Sequence, residues 1–249
     1  MAALSTKPDY GVDAPAVMRN LFVFGSLCVL LAIFTPRIWH LGKLQLQLHY
    51  TLAWTGGFLL LEGCLFLLYV KVGKFRHRDK LLEIANLRGS ERALDVGCGR
   101  GLLLAGAARR LSNGTATGID IWSNVDMGGN SEEATRHNLK LEGIAGKCTL
   151  VSAGAQAMPF ADGSFDVVVS NLCLHNICDK PTRLRAVEQI ARVLRPGGLA
   201  VLSDYRKTSE YAAVLRSLGW TVEERWANVL TTFPPLHIVV ARKPGDMKE

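Results

Sequence analysis

The sequence predicts an α/β fold, a seven-stranded, mostly parallel sheet wound on both faces by helices and preceded by two transmembrane helices. Three observations carry that expectation. Before residue 73 the chain is dominated by two long apolar runs; from Arg76 onward, short apolar runs alternate with amphipathic stretches at the intervals of an open parallel sheet. Early in the second region the run Ala93 to Val96 ends in a glycine turn and opens into a helix, the corner at which such sheets place ligands.

At 249 residues there is room for one ordinary domain and an appendage. Hydrophobic content is 49% with mean hydropathy +0.16, and the excess lies before residue 73. The net charge of +7 is not arranged as a basic stripe interleaved with aromatics, so nucleic acid is not an expected partner. Six cysteines show no C-x-x-C spacing; free thiols on the reducing side of a membrane, with no metal, are the simplest account.

Residues 1–16, with Pro8, Pro15, Asp9, Asp13 and Tyr10, read as an irregular arm. A charged start running straight into an apolar core and a small-residue cleavage site is missing, which disfavours a cleaved signal peptide. Val17 to Phe34 is almost wholly apolar past Asn20, and Thr35-Pro36 stops it. About eighteen residues at ~1.5 Å each reach ~27 Å, close to the hydrocarbon thickness. A second run, Thr51 to Val72, carries Trp54 and Tyr69 near its ends, as interfacial aromatics would be, so residues 17–72 are expected to form a membrane hairpin. Glu62 in mid-run is costly as an ion and should be neutral or face the partner helix, with Gly56, Gly57 and Gly63 allowing close packing. The connector Arg37 to Tyr50 mixes Trp39, Leu41, Leu44, Leu46 and Leu48 with Lys43, Gln45, Gln47 and His49 and is expected to lie along the membrane surface. Lys71, Lys74, Arg76, His77, Arg78 and Lys80 form the strongest positive cluster beside either run. Residues 73–80 are therefore read as a basic juxtamembrane linker that places the following domain, 81–249, on the cytoplasmic face and returns the arm to the same side, where Asp9 to Pro15 would serve as a lid.

In the carboxyl-terminal region helices are expected near Asp79 to Leu87, Gly101 to Leu111, Asn130 to Leu141, Pro181 to Leu194 and Ser209 to Leu218. Asn130 with Glu133 reads as a capping box, and Pro196-Gly197-Gly198 as a helix stop. Strands are expected at Ala93 to Val96, Thr115 to Asp120, Lys147 to Val151, Phe165 to Ser170, Leu199 to Asp204, Thr221 to Ala227 and Leu236 to Ala241.

The stretch Ala93-Leu94-Asp95-Val96-Gly97-Cys98-Gly99-Arg100-Gly101 resembles the first motif of the class I S-adenosylmethionine-dependent methyltransferases, of the methyltransferase type 11-like group. Its G-x-G-x-G spacing departs from the G-x-G-x-x-G of dinucleotide folds, and Asp95 stands two residues before the first glycine. Four further segments match the same family, so the resemblance covers nearly all of residues 80–243: Gly118-Ile119-Asp120, Ser152 to Phe160, Ala161 to Asn171, and Arg192 to Gly198. It implies a Rossmann-like sheet and S-adenosylmethionine as cofactor. Asp95, Gly97, Cys98, Gly99 and Gly101 then form the cofactor turn, Asp120 accepts the ribose hydroxyls, Ile121 and Trp122 flank adenine, and Asn171 ends the fourth strand beside the site. Gly154 stands where the family often has the Asp that holds the adenine amino group, so either the backbone of Ala155 or the side chain of Gln156 takes over.

Methyl transfer from a sulfonium is an in-line displacement whose leaving group is already activated, so alignment and exclusion of water matter more than a triad. Where the acceptor carries a proton, a base is expected at the ends of strands four and five, among Asn171, Cys173, His175, Asn176 and Cys178 or Asp204 and Tyr205. His175 and Tyr205 are the catalytic candidates, the alternative for His175 being a residue that bonds the loop or lines the pocket. Cys173 and Cys178 are either thiols for a soft metalloid or small buried residues. The long loop Ser123 to Gly129 either shapes the acceptor pocket or adjusts the next helix. A catalytic domain moored to a lipid bilayer favours a small lipophilic or amphiphilic acceptor, methylated at sulfur, oxygen or nitrogen. The competing readings are an inert membrane-tethered binding subunit and an NAD-dependent oxidoreductase, which the glycine spacing disfavours.

Overall fold

The computed structural model describes residues 6–41, 43–124, 127–229 and 231–245. Two long apolar helices, α1 (Pro15–Phe34) and α2 (Leu48–Leu68), lie against each other as a hairpin. In α1 only Gly25 and Ala32 are buried, while Val23, Phe24, Ile33 and Phe34 are exposed, the reverse of a core helix. The helices meet on small residues: a Cβ on Gly56 would stand 2.8 Å from the Gly25 carbonyl oxygen, and one on Gly63 3.1 Å from the Phe22 ring. Gly57 does not share in this contact; it faces open space, and Gly25 of α1 supplies the small residue instead. Glu62 is half-buried beside Gly63.

The connector folds as a short two-stranded hairpin. β1 (Trp39–Leu41) and β2 (Leu44–Leu46) pair antiparallel, Trp39 opposite Leu46, because the alternation Leu44-Gln45-Leu46-Gln47 has the period of a strand. Gly42 and the side chains of His40, Leu41 and Leu44 lie outside the described residues, as do residues 1–5 of the arm.

A second difference positions the site. α2 does not give way to a linker at residue 73; it passes through one π turn (Tyr69–Gly73) into α3 (Lys74–Ala85), so that Leu48–Ala85 is a single helical run of 38 residues. No proline interrupts it, and Asn86 ends it in the left-handed conformation, φ 50°. Lys71, Arg76 and Lys80 of the basic cluster are exposed, whereas Lys74 and His77 turn inward. Leu81 and Leu82, 0% and 1% exposed, anchor the far end against the sheet, each contributing roughly 1.5–3 kcal/mol of burial.

The sheet contains β3 (Arg92–Val96), β4 (Thr115–Asp120), β5 (Cys148–Ser152), β6 (Phe165–Asn171), β7 (Leu194–Asp204), β8 (Thr221–Trp226) and β9 (His237–Arg242), in the order β5-β4-β3-β6-β7-β9-β8. Only β9 pairs antiparallel with its neighbours β7 and β8, as expected of a mostly parallel sheet. Helices α4 (Leu102–Arg110), α5 (Glu132–Leu141), α6 (Lys180–Val193) and α7 (Thr208–Ser217) complete the domain. Pro196-Gly197-Gly198, expected as a helix stop, instead lies within β7, where the register against β6 jumps from Phe165↔Leu194 to Val167↔Leu199. The α5 cap is Ser131, whose hydroxyl accepts from the Ala134 amide, because Asn130 is engaged elsewhere. The strand order reverses between β3 and β6, and the crevice beyond their carboxyl ends is where this architecture binds ligands.

Candidate active site

The turn after β3 is built on backbone that only glycine adopts easily: Gly97, Gly99 and Gly101 have φ of 73°, 50° and 86°. A Cβ on Gly97 would stand 2.2 Å from the Cys173 sulfur, so this position needs a glycine for space as well. Cys173 therefore packs against the turn, and burial pushes its thiol pKa well up, which suits a small filler; Cys178 is exposed. Among the described residues no group of three His, Cys, Asp or Glu side chains could hold a metal.

Asp120, at the end of β4, holds the turn in place. One carboxylate oxygen accepts from the Gly99 amide at 2.8 Å; the other accepts from the Trp122 amide at 2.7 Å and from the Asn130 side chain at 3.3 Å. With about two lone-pair sites per carboxylate oxygen, the oxygen bonded to Gly99 keeps acceptor capacity while the other is filled. Trp122, at φ 59°, donates its ring N–H to Ser152, and Ile121 beside it is 68% exposed, an uncovered apolar side chain at the crevice mouth. Gly154 and Gln156 lie after β5, the Gln156 amide folded back within 2.6 Å of where a Gly154 Cβ would stand; the Gly154 carbonyl accepts from Ala157, and Ala155 packs against the core. Of the loop Ser123 to Gly129, Val125 and Asp126 lie outside the described residues.

Beside the turn is a cavity lined by residues from five parts of the chain: Tyr10 and Asp13 of the arm, Tyr69 and Lys74 of the long helix, Asp95, Gly97 and Cys98 of the β3 corner, Met127 of the loop after β4, and Asn171 of β6. Buried side-chain atoms of Asp13, Tyr69, Asp95 and Asn171 lack a hydrogen-bond partner, and all four residues face this one space. Buried polar atoms left unpaired at a common cavity are the mark of a site shaped for a polar ligand. Burial, and then the charge of Asp120, push the Asp95 carboxyl up to about 8, against one hydrogen bond from the Leu104 backbone. Burial also raises the pKa of Asp13 and lowers that of Lys74, whose ammonium stands 3.9 Å from the Asp13 carboxylate.

The arm crosses this site. Asp9 pairs with Arg100 at 2.9 Å and its amide donates to Asn138; the Tyr10 hydroxyl donates to Glu142 at 2.6 Å; Asp13 bridges to Met127; and Lys74 donates to the carbonyls of Tyr10 and Gly11. Sequence reasoning placed Tyr69 at a membrane interface and Lys74 in a solvated collar, and missed both as cavity residues.

His175 and Tyr205 are brought together, ring centroids 4.6 Å apart, but neither lines the cavity. His175 is 8% exposed, its Nδ1 lies 2.6 Å from Asp204 Oδ1, and its amide donates to Asp204 Oδ2. Asp204 also accepts from the Tyr205 amide and the Tyr211 hydroxyl. The cluster ties the loop after β6 to the end of β7, the loop-bonding alternative for His175.

Residues 94–202 match the family described as "Methyltransferase domain". The chain is 31% identical over 126 residues to the ubiquinone/menaquinone biosynthesis C-methyltransferase UbiE of Vibrio campbellii, covering 51% of this chain and 46% of that protein. It is 33% identical over 131 residues to the sterol 4-C-methyltransferase strm-1 of Caenorhabditis elegans, covering 53% and 36%. The chain thus spans less than half the length of these relatives. Among solved structures, the N-methyltransferase NodS of Bradyrhizobium japonicum in complex with S-adenosyl-L-homocysteine aligns with a TM-score of 0.55 at 16% identity, over 68% of this chain and 86% of that one. Residues 94–202 thus match a methyltransferase domain, and the fold is shared with the NodS structure.

Proposed function

We propose that the chain is a membrane-anchored methyltransferase that transfers a methyl group from S-adenosylmethionine to a small lipophilic or amphiphilic acceptor. The observation that carries this reading is the helical run Leu48–Ala85, which begins as an uncovered apolar helix and ends in the core of the sheet domain, bringing Tyr69 and Lys74 to the cavity beside the glycine turn on the way. A helix shared by the apolar hairpin and the cavity couples access from a bilayer to the reaction site. The relatives named for quinone and sterol methylation support an acceptor that partitions into lipid.

S-adenosylmethionine supplies an activated methyl group when bound. The residues present fit it: the positive-φ glycine turn admits close approach, Asp120 is fixed for the ribose, and the unpaired oxygens of Asp95 and Asn171 face the cavity for the amino acid end. Asp95 neutralises an ammonium there. The arm and the long helix exclude water from the cavity and hold the acceptor in line. The basic positions Lys71, Arg76 and Lys80 do not enter this chemistry; the three cations are exposed and suit anionic headgroups on the cytoplasmic face.

The test is titration of the detergent-purified chain with adenosylhomocysteine, followed by incubation of labelled adenosylmethionine with membrane extract and mass spectrometry for the gain of one methylene. Binding without any methylated product would favour a non-catalytic tether, and absence of binding would end the assignment.

A further inference from the structure

Resting on that reading, we propose that the apolar body of the acceptor lies in a cleft between the end of α2 and the residues Val229 and Thr231 to Phe233, with Tyr69 the specificity-determining residue at which this cleft meets the polar cavity. Leu65, Leu68, Val72 and Phe233 line the cleft, and Tyr69 lines both spaces.

The chemistry changes across that one side chain. On the outer side Leu65, Leu68 and Val72 are 40%, 52% and 39% exposed and continue the uncovered apolar surface of α2. On the inner side stand Asp13, Lys74, Asp95 and Asn171. Tyr69 itself is 3% exposed, its hydroxyl lacks a partner, and its ring packs edge-on against Phe66 at 6.4 Å, which packs edge-on against Phe233 at 6.2 Å. Phe66, itself buried, therefore joins the two aromatic residues that line the cleft, Phe233 and Tyr69, the second of which also lines the cavity. Only a molecule with a long apolar portion and one polar reacting end satisfies both halves.

The backbone is adapted to this junction. Tyr69 opens the π turn, and its carbonyl accepts from the Lys74 amide. Such single π turns add one residue to a helical turn and re-aim the side chains that follow. At the end of the turn a Cβ on Gly73 would stand 2.1 Å from the Thr231 carbonyl oxygen, so the segment after β8 touches the helix backbone and closes the cleft at that edge.

The experiment uses the full chain in phospholipid nanodiscs and a long-alkyl phenol carrying a diazirine in its alkyl chain, with crosslinked peptides mapped by mass spectrometry. The expected result is labelling concentrated in 65–72 and 229–233, reduced about tenfold in Leu68→Trp or Val72→Trp, whose exposed side chains fill the cleft without disturbing the core, while adenosylhomocysteine affinity stays within about twofold. The proposal is overturned by label spread evenly over the apolar faces of α1 and α2 and insensitive to either tryptophan. It is equally overturned if a phospholipid carrying the same diazirine labels the cleft as strongly as the phenol, which would make it a seat for bilayer lipid. Failure of the underlying reading is separately visible, since the unsubstituted chain would then not bind adenosylhomocysteine.

Discussion

At the scale of single residues, Asp95 makes the sharpest prediction. Its carboxyl is held at about 8 against 3.8 for an ordinary aspartate, so between those values the folded chain carries a proton that the unfolded chain has released. Stability must then fall as pH rises through that window, by roughly 1 kcal/mol per unit where the difference is fullest. Denaturant titrations from pH 5 to pH 8 should show this slope, and Asp95→Asn should flatten it. An ammonium bound beside Asp95 favours the carboxylate, so adenosylhomocysteine affinity should rise with pH over the same range in the parent chain and not in Asp95→Asn. Asp120→Ala removes the acceptor for the Gly99 amide and, on the proposed reading, the ribose contact; with charge-assisted bonds at about 1.5–3 kcal/mol, calorimetry should record at least a tenfold loss of cofactor affinity. These residues were legible because each sits next to a glycine turn or a strand end in a contiguous motif. His175 was not, since nothing local to the sequence announces that Asp204, on another strand, already occupies its ring and amide. His175→Ala should cost ~2 kcal/mol of stability with cofactor affinity near normal, as thermal melts and titration of the folded fraction would show.

At the scale of elements, the long helix was readable and misread. Lys74, His77, Leu81, Leu82 and Ala85 recur at helical spacing and are all buried, so the inward face of α3 was present in the sequence as a periodicity that included a lysine and a histidine. Charge type concealed it: a run of basic residues after an apolar segment reads as a collar, although only a cation with partners ready for it can turn inward. Lys74 has those partners in the arm, bonding the carbonyls of Tyr10 and Gly11. His77, pushed down to about 4 by burial, stays neutral and meets Ser203 at 2.7 Å. The arm is therefore held by an element it does not adjoin in sequence, which no short-range pattern could reveal. Lys74→Met should weaken arm docking by about 2 kcal/mol, a roughly thirtyfold rise in the open population. Limited proteolysis near Tyr10 should accelerate and adenosylhomocysteine should dissociate faster, whereas unchanged protease sensitivity would mean that the arm is held by Asp9 and Tyr10 alone.

At the scale of the whole molecule, the seven-stranded order and the hairpin follow from composition and periodicity, while their fusion into one body depends on a helix that crosses the boundary between them. On the proposed membrane reading, that fusion would set the height of the sheet domain above a bilayer: with α1 and α2 in lipid, Tyr69 and Val72 would sit at the interface and the cavity within one or two helical turns of it. Thiol positions make this measurable. Cys64 lies in α2 with its side chain exposed, and Cys178 lies exposed on the loop after β6. In membrane vesicles with the cytoplasmic face outward, a polar maleimide should modify Cys178 and spare Cys64, because a thiolate does not form in hydrocarbon; vesicles of the opposite orientation should protect both. Equal modification of Cys64 and Cys178 in intact vesicles would show that the apolar hairpin is open to water and not in lipid, and the route from bilayer to cavity would go with it.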